Sequence, residues 1–509
     1  MTKIKRKRMK GNNGRRHREQ RERILTIGAT AASCIFIFFC VIPYLGSGKD
    51  RKNGRPGTRG MSQKKLESFH PGDHLPAVAP KEELKAKKRR NNAATGETGR
   101  GGRRRDGLLP MRKALEDPTF DPVATQQARD ILSASTNLVD VDMGPHASIE
   151  DESYGGVIAE FCPLDFSAQK DNPPELPMFR DVVGHSGCDE KRSDIIRVDL
   201  KEAVDLAREF DGDNNDGNLP TVLDLKGVVF HESRCGSTLA ANSMMALNPE
   251  KHRVYSESSP PIAALRGCGE DYSDCSLEAS ANLLKDVIYM MGRSDDPKEE
   301  NLFFKFQSVT TRTMRSFRMA FPTTPWIFLY REPVEVMMSQ LDVPKMSKAN
   351  CVKSRNSSPM VRDVIRRSDY EASDFLDEEF CAIHLATLCS SAFENLEDSD
   401  GLGMAVNYHP ELVHDFLDTI FPKHFHTPVD KAGRDRVLKI SGTYSKNRGR
   451  HEEGGYKPDS EAKERNASEE IKDAAKLFLE PVYKQLQKSE YNIMPQSADG
   501  YDDEEEDEV

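Results

Sequence analysis

The chain has 509 residues, of which 73 are basic and 83 acidic, so its formal net charge is −10. Only 37% of its residues are hydrophobic, below the roughly 45–50% of an average globular domain, which indicates a folded part accompanied by long polar segments. The 34 glycines follow no three-residue period, which excludes a collagen-like chain, and the apolar runs exclude disorder throughout.

The charge divides unevenly along the chain. Residues 1–113 contain 30 basic and 9 acidic residues, a net charge of +21, whereas the remainder has a net charge of −31. A basic N-terminal segment in front of an acidic remainder is more typical of a targeting or membrane-anchoring segment than of an enzyme surface.

An uncharged apolar run of 22 residues covers 24–45, and about 20 helical residues cross the hydrocarbon core of a bilayer. The preceding 23 residues carry 11 basic side chains, which favours the cytoplasmic side. We therefore expect a cytoplasmic tail over 1–23 and a transmembrane signal anchor over 24–45, as in a single-pass type II membrane protein. A cleaved signal peptide is the alternative, although its apolar region is usually only about 7–15 residues long.

The regions beside the folded body also have recognisable compositions. Residues 46–115 are rich in Gly, Arg and Lys without periodic apolar positions, which predicts a flexible basic stem. Residues 491–509 end in YDDEEEDEV, which predicts a disordered acidic tail. Residues 116–215 form an N-terminal extension of uncertain structure. Behind an anchor, the basic clusters of the stem are better interpreted as solvated, so no nucleic-acid partner is predicted.

Eight of the ten cysteines lie outside the apolar run, and an even number suits an oxidising lumen. Cys268 and Cys275 are the local pair expected to form a disulfide. Asn356 and Asn466 begin glycosylation triplets, which agrees with a lumenal body. No Cys or His spacing is typical of zinc, and 211–222 lacks the glycine and glutamate of a calcium loop, so no metal is predicted.

From 216 to 490, short apolar runs alternate with segments of helical periodicity. Strands are expected to end at 230 and to cover 252–256, 301–307, 326–330 and 404–408. Helices are expected to open after the first strand and to cover 278–291, 310–320, 333–341, 377–396, 411–421 and 468–488. This alternation predicts an α/β domain with a mainly parallel central sheet and helices on both faces. Ligands of such sheets bind at the carboxyl ends of the strands.

The first strand leads into the sequence HESRCGST. Gly236 lets the backbone approach an anion, and the amides of Ser237, Thr238 and Leu239 begin a helix, whose N-terminus favours negative charge. Arg234 adds a fixed positive charge. The lysine of the ATP-binding pattern GxxxxGK[ST] is absent. A purely structural glycine turn is the alternative.

A second candidate anion site follows the strand at 326–330, in the sequence YREPVEVMMSQ. Arg331 stands at the strand end and Ser339 two helical turns later, so that both can converge on one phosphate. The alternative is that Arg331 pairs with Glu332 or Glu335 on a wet surface.

Together these motifs resemble the P-loop sulfotransferases, which use 3′-phosphoadenosine 5′-phosphosulfate. SRCGST resembles their 5′-phosphosulfate loop, and Arg331 with Ser339 resembles their 3′-phosphate motif. VNYHPEL is similar to a strand element late in these domains, with His409 and Pro410 as departures. The resemblance covers 216–490, and the anchor and stem in front of it are similar to those of the Golgi carbohydrate sulfotransferases.

The resemblance implies a role for each matching residue. The 5′-phosphosulfate would be held by Arg234, Cys235, Gly236, Ser237, Thr238 and Leu239, and the 3′-phosphate by Arg331 and Ser339. Lys446 and Arg448, in a Gly-bearing basic loop, could also contact the 3′-phosphate, an exposed loop being the alternative. Cys235 stands where the family often has serine and is better interpreted as a small packed residue than as a reactive thiol.

Sulfuryl transfer needs a base for the acceptor proton and positive charge on the leaving oxygen. Glu257, in YSESSPP, resembles the strand–Glu–Pro element in which the family's glutamate is thought to act as base. Lys305 matches the lysine of a KxH strand, but Gln307 replaces its histidine and cannot act as a base. We therefore expect Glu257 to be the base, with Arg234 and Lys305 assisting at the transferred and leaving groups. A helix-capping or surface acid is the alternative for Glu257.

The sequence thus predicts a membrane-anchored, metal-independent Golgi enzyme with a lumenal catalytic domain, which transfers a sulfuryl group to a hydroxyl of a carbohydrate or similar acceptor. Another P-loop nucleotide enzyme and a non-catalytic lumenal binding protein of the same fold are the alternatives; Gln307 keeps the second one open. The histidines at 231, 384, 409 and 414 are expected to be structural, and Trp326 to belong to the core.

Overall fold

A computed structural model describes residues 107–493, except 145–146, 151–152, 189–194, 214–219, 369–370 and 443–459. The predicted tail, anchor and most of the stem lie outside the described residues, as do Lys446 and Arg448 and most of the acidic tail. Among the helices that are described, none combines the length and the apolar composition needed to cross a bilayer.

The segment 107–213 forms a small α/β layer. Its helices are α1 (Met111–Glu116), α2 (Pro122–Leu132), α3 (Ser167–Asp171), α4 (Phe179–His185) and α5 (Leu200–Asp213). Its strands are β1 (Asn137–Asp142), β2 (Ser148–Glu150), β3 (Ser153–Gly155), β4 (Ile158–Cys162) and β5 (Ile196–Asp199). β1, β4 and β5 form an antiparallel sheet with β4 at its centre, and β2 pairs with β3. Helix α1 begins inside the predicted stem and ends one residue beyond it, so regular structure begins earlier than the sequence predicts.

The central sheet is built from later strands. These are β6 (Thr221–Val222), β7 (Asp224–His231), β8 (His252–Ser256), β9 (Arg293–Ser294), β10 (Asn301–Lys305), β11 (Trp326–Tyr330), β12 (Gly403–Asn407) and β13 (Asn492–Ile493). Six of them form a parallel sheet in the order β8-β10-β7-β11-β12-β13, whereas β6 pairs antiparallel with β9. All five residues of β11 are buried, as expected for a parallel strand covered on both faces.

Helices cover both faces of this sheet. They are α6 (Ser237–Leu247), α7 (Ser259–Arg266), α8 (Leu277–Met291), α9 (Met314–Ala320), α10 (Pro333–Leu341), α11 (Asn350–Ser357), α12 (Pro359–Arg367), α13 (Asp377–Glu397), α14 (Leu412–Asp415), α15 (Lys431–Ser441), α16 (Ser460–Asn466), α17 (Glu469–Ala474) and α18 (Glu480–Lys488). Shorter 3₁₀ turns cover Ser308–Thr313, Met346–Lys348 and Ala372–Asp374, and π-helical turns cover Phe416–His424 and Ala475–Leu479. The predicted α/β class with a parallel sheet between helices is confirmed.

Two hydrophobic clusters divide the core because successive residues of a strand point to opposite faces. Val229 packs in one cluster with α6 and the π-helical turn after α14, whereas Phe230 packs in the other with α8, α9 and α13. This second cluster also contains Phe161 and Val198 from the N-terminal layer. The N-terminal layer therefore shares a core with the central sheet.

Three disulfides connect loops and helices of the described chain. The predicted pair Cys268–Cys275 is confirmed, and Cys162–Cys188 and Cys351–Cys381 are bonded as well. Within the described residues, Cys235 and Cys389 are free and buried.

The strand order reverses its direction between two strands of the sheet. β7 leads to β8 on one side, whereas β11 lies on the other side of β7 and leads away to β12. Chain connections therefore diverge between β7 and β11, which is where ligands of open α/β sheets bind. The turns after these two strands carry the two predicted anion motifs.

Candidate functional site

The turn after β7 has an unusual backbone. Ser233, Arg234 and Gly236 have φ values of 91°, 59° and 83°, a region that is costly for residues other than glycine. The Ser233 N–H donates to His231 Nδ1 at 3.0 Å, and His231 Nε2 lies 3.0 Å from the Phe306 carbonyl oxygen. Burial lowers the pKa of His231 to about 3, so its neutral ring accepts at Nδ1 and donates at Nε2. His231 is structural, as predicted, and it holds this turn.

Gly236 is the N-cap of α6. A Cβ at this position would lie 2.6 Å from Cδ2 of Tyr408, so the turn and the tyrosine ring approach more closely than a side chain would allow. The N–H groups of the first helical turn, which include those of Ser237, Thr238 and Leu239, have no acceptor within a helix. These donors and the positive end of the helix dipole make the turn suitable for an anion.

Cys235 is fully buried, and its thiol donates to the Leu329 carbonyl oxygen at 3.1 Å. Burial raises the pKa of the Cys235 thiol to about 12. Thiolate is the reactive form of cysteine, and Cys235 stays a neutral thiol at neutral pH. The interpretation of Cys235 as a small packed residue is therefore confirmed.

Arg331 joins the two motifs. Its side chain is buried, its Nη1 lies 3.5 Å from the Arg234 carbonyl oxygen, and its guanidinium carbon lies 4.5 Å from the centre of the Tyr408 ring. Its Nε donates to Glu335 at 2.6 Å. The ion pair considered from the sequence is therefore present, but it is buried beside the turn and orients the guanidinium group rather than lying on a wet surface.

Ser339 is buried on α10, and its Oγ accepts a hydrogen bond of 2.8 Å from Lys463 Nζ. Lys463 lies on α16, which follows a stretch outside the described residues. Sequence reasoning missed Lys463. The helix that holds Lys463, SEAKERN, has as many acidic as basic residues, and 124 residues separate Lys463 from Ser339, so no local signal identifies Lys463.

Glu257 and Lys305 form the third part of the site. Lys305 is almost fully buried at the end of β10, and its ammonium group is ion-paired with Glu257. The Glu257 N–H donates to the Lys305 carbonyl oxygen at 2.7 Å. Burial opposes ionisation, but the charge of Lys305 outweighs it and lowers the pKa of Glu257. Glu257 is therefore ionised at neutral pH, and 18% of its side chain remains exposed.

Glu257 does not cap a helix. The N-cap of α7 is Ser258, whose side chain makes no capping hydrogen bond. Glu257 has a φ of 53°, and its carboxylate also lies 3.8 Å from His231 Nε2. The helix-capping alternative is thus wrong, and the same histidine contacts both the anion turn and the Glu257–Lys305 pair.

The sheet register aligns these groups along one edge. Lys305 pairs with Val229 of β7 and with Ser256 of β8. The Glu257–Lys305 pair and the turn after β7 therefore lie side by side at the carboxyl edge. Gln307 follows Lys305, is half-buried, and accepts from Thr310 through its carbonyl oxygen.

Glu232 was not predicted as part of the site. It is 1% exposed, its Oε2 accepts from the Arg331 N–H at 3.0 Å, and its carboxyl group also hydrogen-bonds with the buried thiol of Cys389. Burial raises its pKa to about 8, so this carboxyl group is mainly protonated at neutral pH. No sequence signal distinguishes it from the exposed acids around it.

The described residues contain no group of three or more His, Cys, Asp or Glu side chains that could hold a metal ion. His384 Nδ1 accepts from Arg312 Nη2 at 2.9 Å, and His409 Nε2 lies 2.6 Å from Asp415 Oδ2, so both histidines have protein partners. No protein-family model matches the chain, and no curated protein matches it either.

Proposed function

We propose that the protein is a sulfotransferase that moves a sulfuryl group from 3′-phosphoadenosine 5′-phosphosulfate to a hydroxyl of a glycan or similar acceptor. The proposal depends on one observation: the Arg331 guanidinium group contacts the carbonyl oxygen of Arg234 at the point where the strand order diverges. Two anion motifs 97 residues apart lie beside each other, and a nucleotide with two separate phosphate groups would use both. The strand order and the two motifs support a P-loop sulfotransferase-like fold.

The donor would bind through both motifs. The N-terminus of α6 and Arg234 would hold the 5′-phosphosulfate, because they combine backbone donors with a fixed charge. Arg331, Ser339 and Lys463 would hold the 3′-phosphate. Lys463 gives this subsite a second positive charge beside Arg331, whose Nε is already paired with Glu335.

The chemistry would proceed by in-line attack of the acceptor oxygen on sulfur. Glu257 would take the proton of the acceptor hydroxyl as the new O–S bond forms and the bond between sulfur and the bridging phosphate oxygen breaks. Protonation neutralises Glu257 and removes its attraction for Lys305. The ammonium group of Lys305 is then available, with Arg234, for the negative charge that develops on the leaving phosphate.

A lumenal location would suit the described chain. Three disulfides are typical of an oxidising compartment, and the basic N-terminal segment carries the uncharged run at 24–45. Asn356 and Asn466 are both exposed, as glycosylation acceptors must be. These features support a type II membrane protein of the Golgi with its catalytic domain in the lumen.

The first experiment compares the affinities of the full chain for 3′,5′-phosphoadenosine and ATP by calorimetry. Tighter binding of the bisphosphate supports the proposal, and tighter binding of ATP would favour another P-loop enzyme. Arg331→Ala should lose the bisphosphate. The exposed Lys439, on a helix tied to the opposite end of α6 by Arg436, supplies the control Lys439→Gln, which should bind normally.

The second experiment measures transfer of labelled sulfate to a mixed glycan pool. Glu257→Gln should bind the nucleotide and lose at least about a hundredfold in rate, the size of a general-base contribution. Glu300→Gln, which changes an exposed carboxylate at the amino end of β10, should leave the rate unchanged. Nucleotide binding without any transfer by the unmodified chain would identify a non-catalytic binding protein.

A further inference from the structure

Glu232 joins the turn after β7 to the residues that follow β11. Its N–H donates to the Leu329 carbonyl oxygen at 2.9 Å, and its Oε2 accepts from the Arg331 N–H at 3.0 Å. Arg234 lies two residues further along the same turn, and its carbonyl oxygen lies 3.5 Å from Arg331 Nη1. The backbone and the side chain of Glu232 therefore hold the two anion motifs in one relative position.

The surroundings of Glu232 favour a neutral carboxyl group over a carboxylate. Burial raises the pKa of Glu232 to about 8, against the opposing effect of the Arg331 charge and of hydrogen bonds from Arg331 and Cys389, and the charge of Glu332 raises it as well. The preceding His231 is neutral. The other ionisable groups that interact with Glu232 are uncharged at neutral pH because burial raises the pKa of each; they are Cys235 in the same turn, Cys389 on α13, Tyr330 in β11 and Tyr483 on α18.

Ionisation of Glu232 would change the charge balance of the proposed 3′-phosphate subsite. Arg331 and Lys463 supply two positive charges there, and Glu335 supplies one negative charge. Because Glu332 also lies nearby, a further carboxylate at Glu232 would leave no excess of positive charge. The carboxylate would repel a phosphate group from a buried position, where water screens charges only weakly.

We propose that Glu232 is a positioning residue that must carry a proton while the nucleotide is bound, so that binding of 3′,5′-phosphoadenosine is coupled to one proton. This inference rests on the proposed function and adds regulation by pH to the same site. The protonated carboxyl group holds the Arg331 N–H and leaves the guanidinium group to the phosphate. The ionised group would compete with the phosphate for Arg331, so an ionised chain must take a proton from solvent before it binds the nucleotide.

The first test compares the unmodified full chain with Glu232→Gln, which keeps an acceptor for the Arg331 N–H and cannot ionise. Calorimetry gives the affinity of each protein for 3′,5′-phosphoadenosine at pH 6.5 and at pH 9. The affinity of the unmodified chain relative to Glu232→Gln should fall about tenfold between these pH values, because only about one molecule in ten keeps the proton at pH 9. The phosphate groups of the ligand titrate near pH 6, but their effect is the same for both proteins and cancels.

A constant ratio of the two affinities would overturn the inference. Glu300→Gln changes an exposed carboxylate at the amino end of β10 and should follow the pH profile of the unmodified chain. If Glu300→Gln removes the pH dependence as completely as Glu232→Gln does, the effect belongs to the general charge of the protein and the inference fails.

A second variant tests the positioning role of the hydrogen bond. Glu232→Leu has a similar volume but offers no acceptor to the Arg331 N–H. At pH 6.5 it should bind the bisphosphate about tenfold more weakly than Glu232→Gln, since a buried donor is left without a partner. Urea unfolding checks that both variants are folded. Equal affinities of the two folded variants would show that Glu232 does not position Arg331, and would refute that role.

The number of protons taken up on binding can be measured without any variant. Calorimetry of the unmodified chain at pH 8, in two buffers with different ionisation enthalpies, gives this number directly. About half a proton should be taken up for each nucleotide bound, because about half of the free molecules are ionised at Glu232 at this pH. Binding without proton uptake would overturn the inference.

These measurements also distinguish the inference from the function on which it rests. A chain that binds the bisphosphate with no proton uptake and with a constant ratio of affinities would keep the proposed function and refute the coupling. A chain that binds no bisphosphate at either pH would refute the proposed function, and the role of Glu232 with it.

Discussion

Replacement of Glu232 by glutamine should remove a specific pH dependence of stability. Burial raises the pKa of Glu232 from 4.5 to about 8 in the folded chain. As the pH rises, the unfolded chain therefore loses this proton before the folded chain does, and the folded state loses stability between about pH 5 and pH 8. Glutamine has the same shape, keeps an acceptor for the Arg331 N–H, and cannot ionise.

The size of the change in stability follows from the pKa shift of Glu232. Each pKa unit corresponds to about 1.4 kcal/mol, so the stability of Glu232→Gln relative to the unmodified chain should increase by about 3 kcal/mol between pH 5 and pH 8. Using the difference between the two proteins cancels the other titrating groups, including His231.

Urea unfolding at several pH values measures this difference. The only tryptophan of the chain, Trp326, is buried in β11 beside the strand that leads to Glu232, so its fluorescence reports on unfolding of the site. The disulfides must be kept intact, and Glu300→Gln provides a control at an exposed carboxylate. A constant difference in unfolding free energy from pH 5 to pH 8 would show that Glu232 does not change its charge in this range, and the reasoning would be refuted.

Three further predictions concern the turn, the nucleotide and a disulfide. Gly236 has a φ of 83°, and a Cβ at this position would lie 2.6 Å from the neighbouring tyrosine ring. Gly236→Ala should therefore lower the unfolding free energy by about 1–3 kcal/mol and weaken binding of 3′,5′-phosphoadenosine. Gly442→Ala, at a position with open space around it, should change neither quantity. Lys463→Ala should weaken binding of the bisphosphate about tenfold but not that of 5′-AMP in calorimetry, and equal losses for both would contradict the 3′-phosphate assignment. Replacing both Cys351 and Cys381 by serine opens a loop with a sequence separation of 30 and should lower the unfolding free energy by roughly 3–4 kcal/mol, whereas unchanged urea midpoints would show that the loop is held by its packing alone.

The elements with strong local signals could be predicted from the sequence. The strand at 326–330 is a short apolar run, and the helix at 333–341 begins with proline after the N-cap Glu332, so both agree with the structure residue for residue. The predicted helices at 310–320, 411–421 and 468–488 exist but are interrupted by 3₁₀ or π-helical turns, because packing rather than periodicity fixes such turns.

Other elements had no comparable signal. The N-terminal layer consists mainly of short elements, and its amphipathic helices α2 and α5 were not recognised. Helix α11 has eight residues and is mostly polar, whereas α12 has nine residues and is amphipathic. Both are too short for helical periodicity to stand out from the polar sequence around them. β13 has two residues, too few for any periodicity.

The candidate site was only partly predictable because only some of its residues stand in segments with a strong local signal. Arg234, Arg331 and Glu257 follow predicted strands, so the strand pattern alone places them at one edge. Glu232 and Lys463 depend on burial and on contacts between distant segments, which no local pattern contains.

The positions of the disulfides have a practical consequence for how the protein should be produced. None of the three bonds involves a residue of the turn after β7 or of the start of α10, whereas Cys268–Cys275 closes the loop after α7 and Cys351–Cys381 joins α11 to α13. Material made in a bacterial cytosol, where thiols stay reduced, should therefore retain the turn after β7 while losing order in the loop after α7 and around α11. A secretory host is needed before a lack of turnover can be attributed to the protein itself.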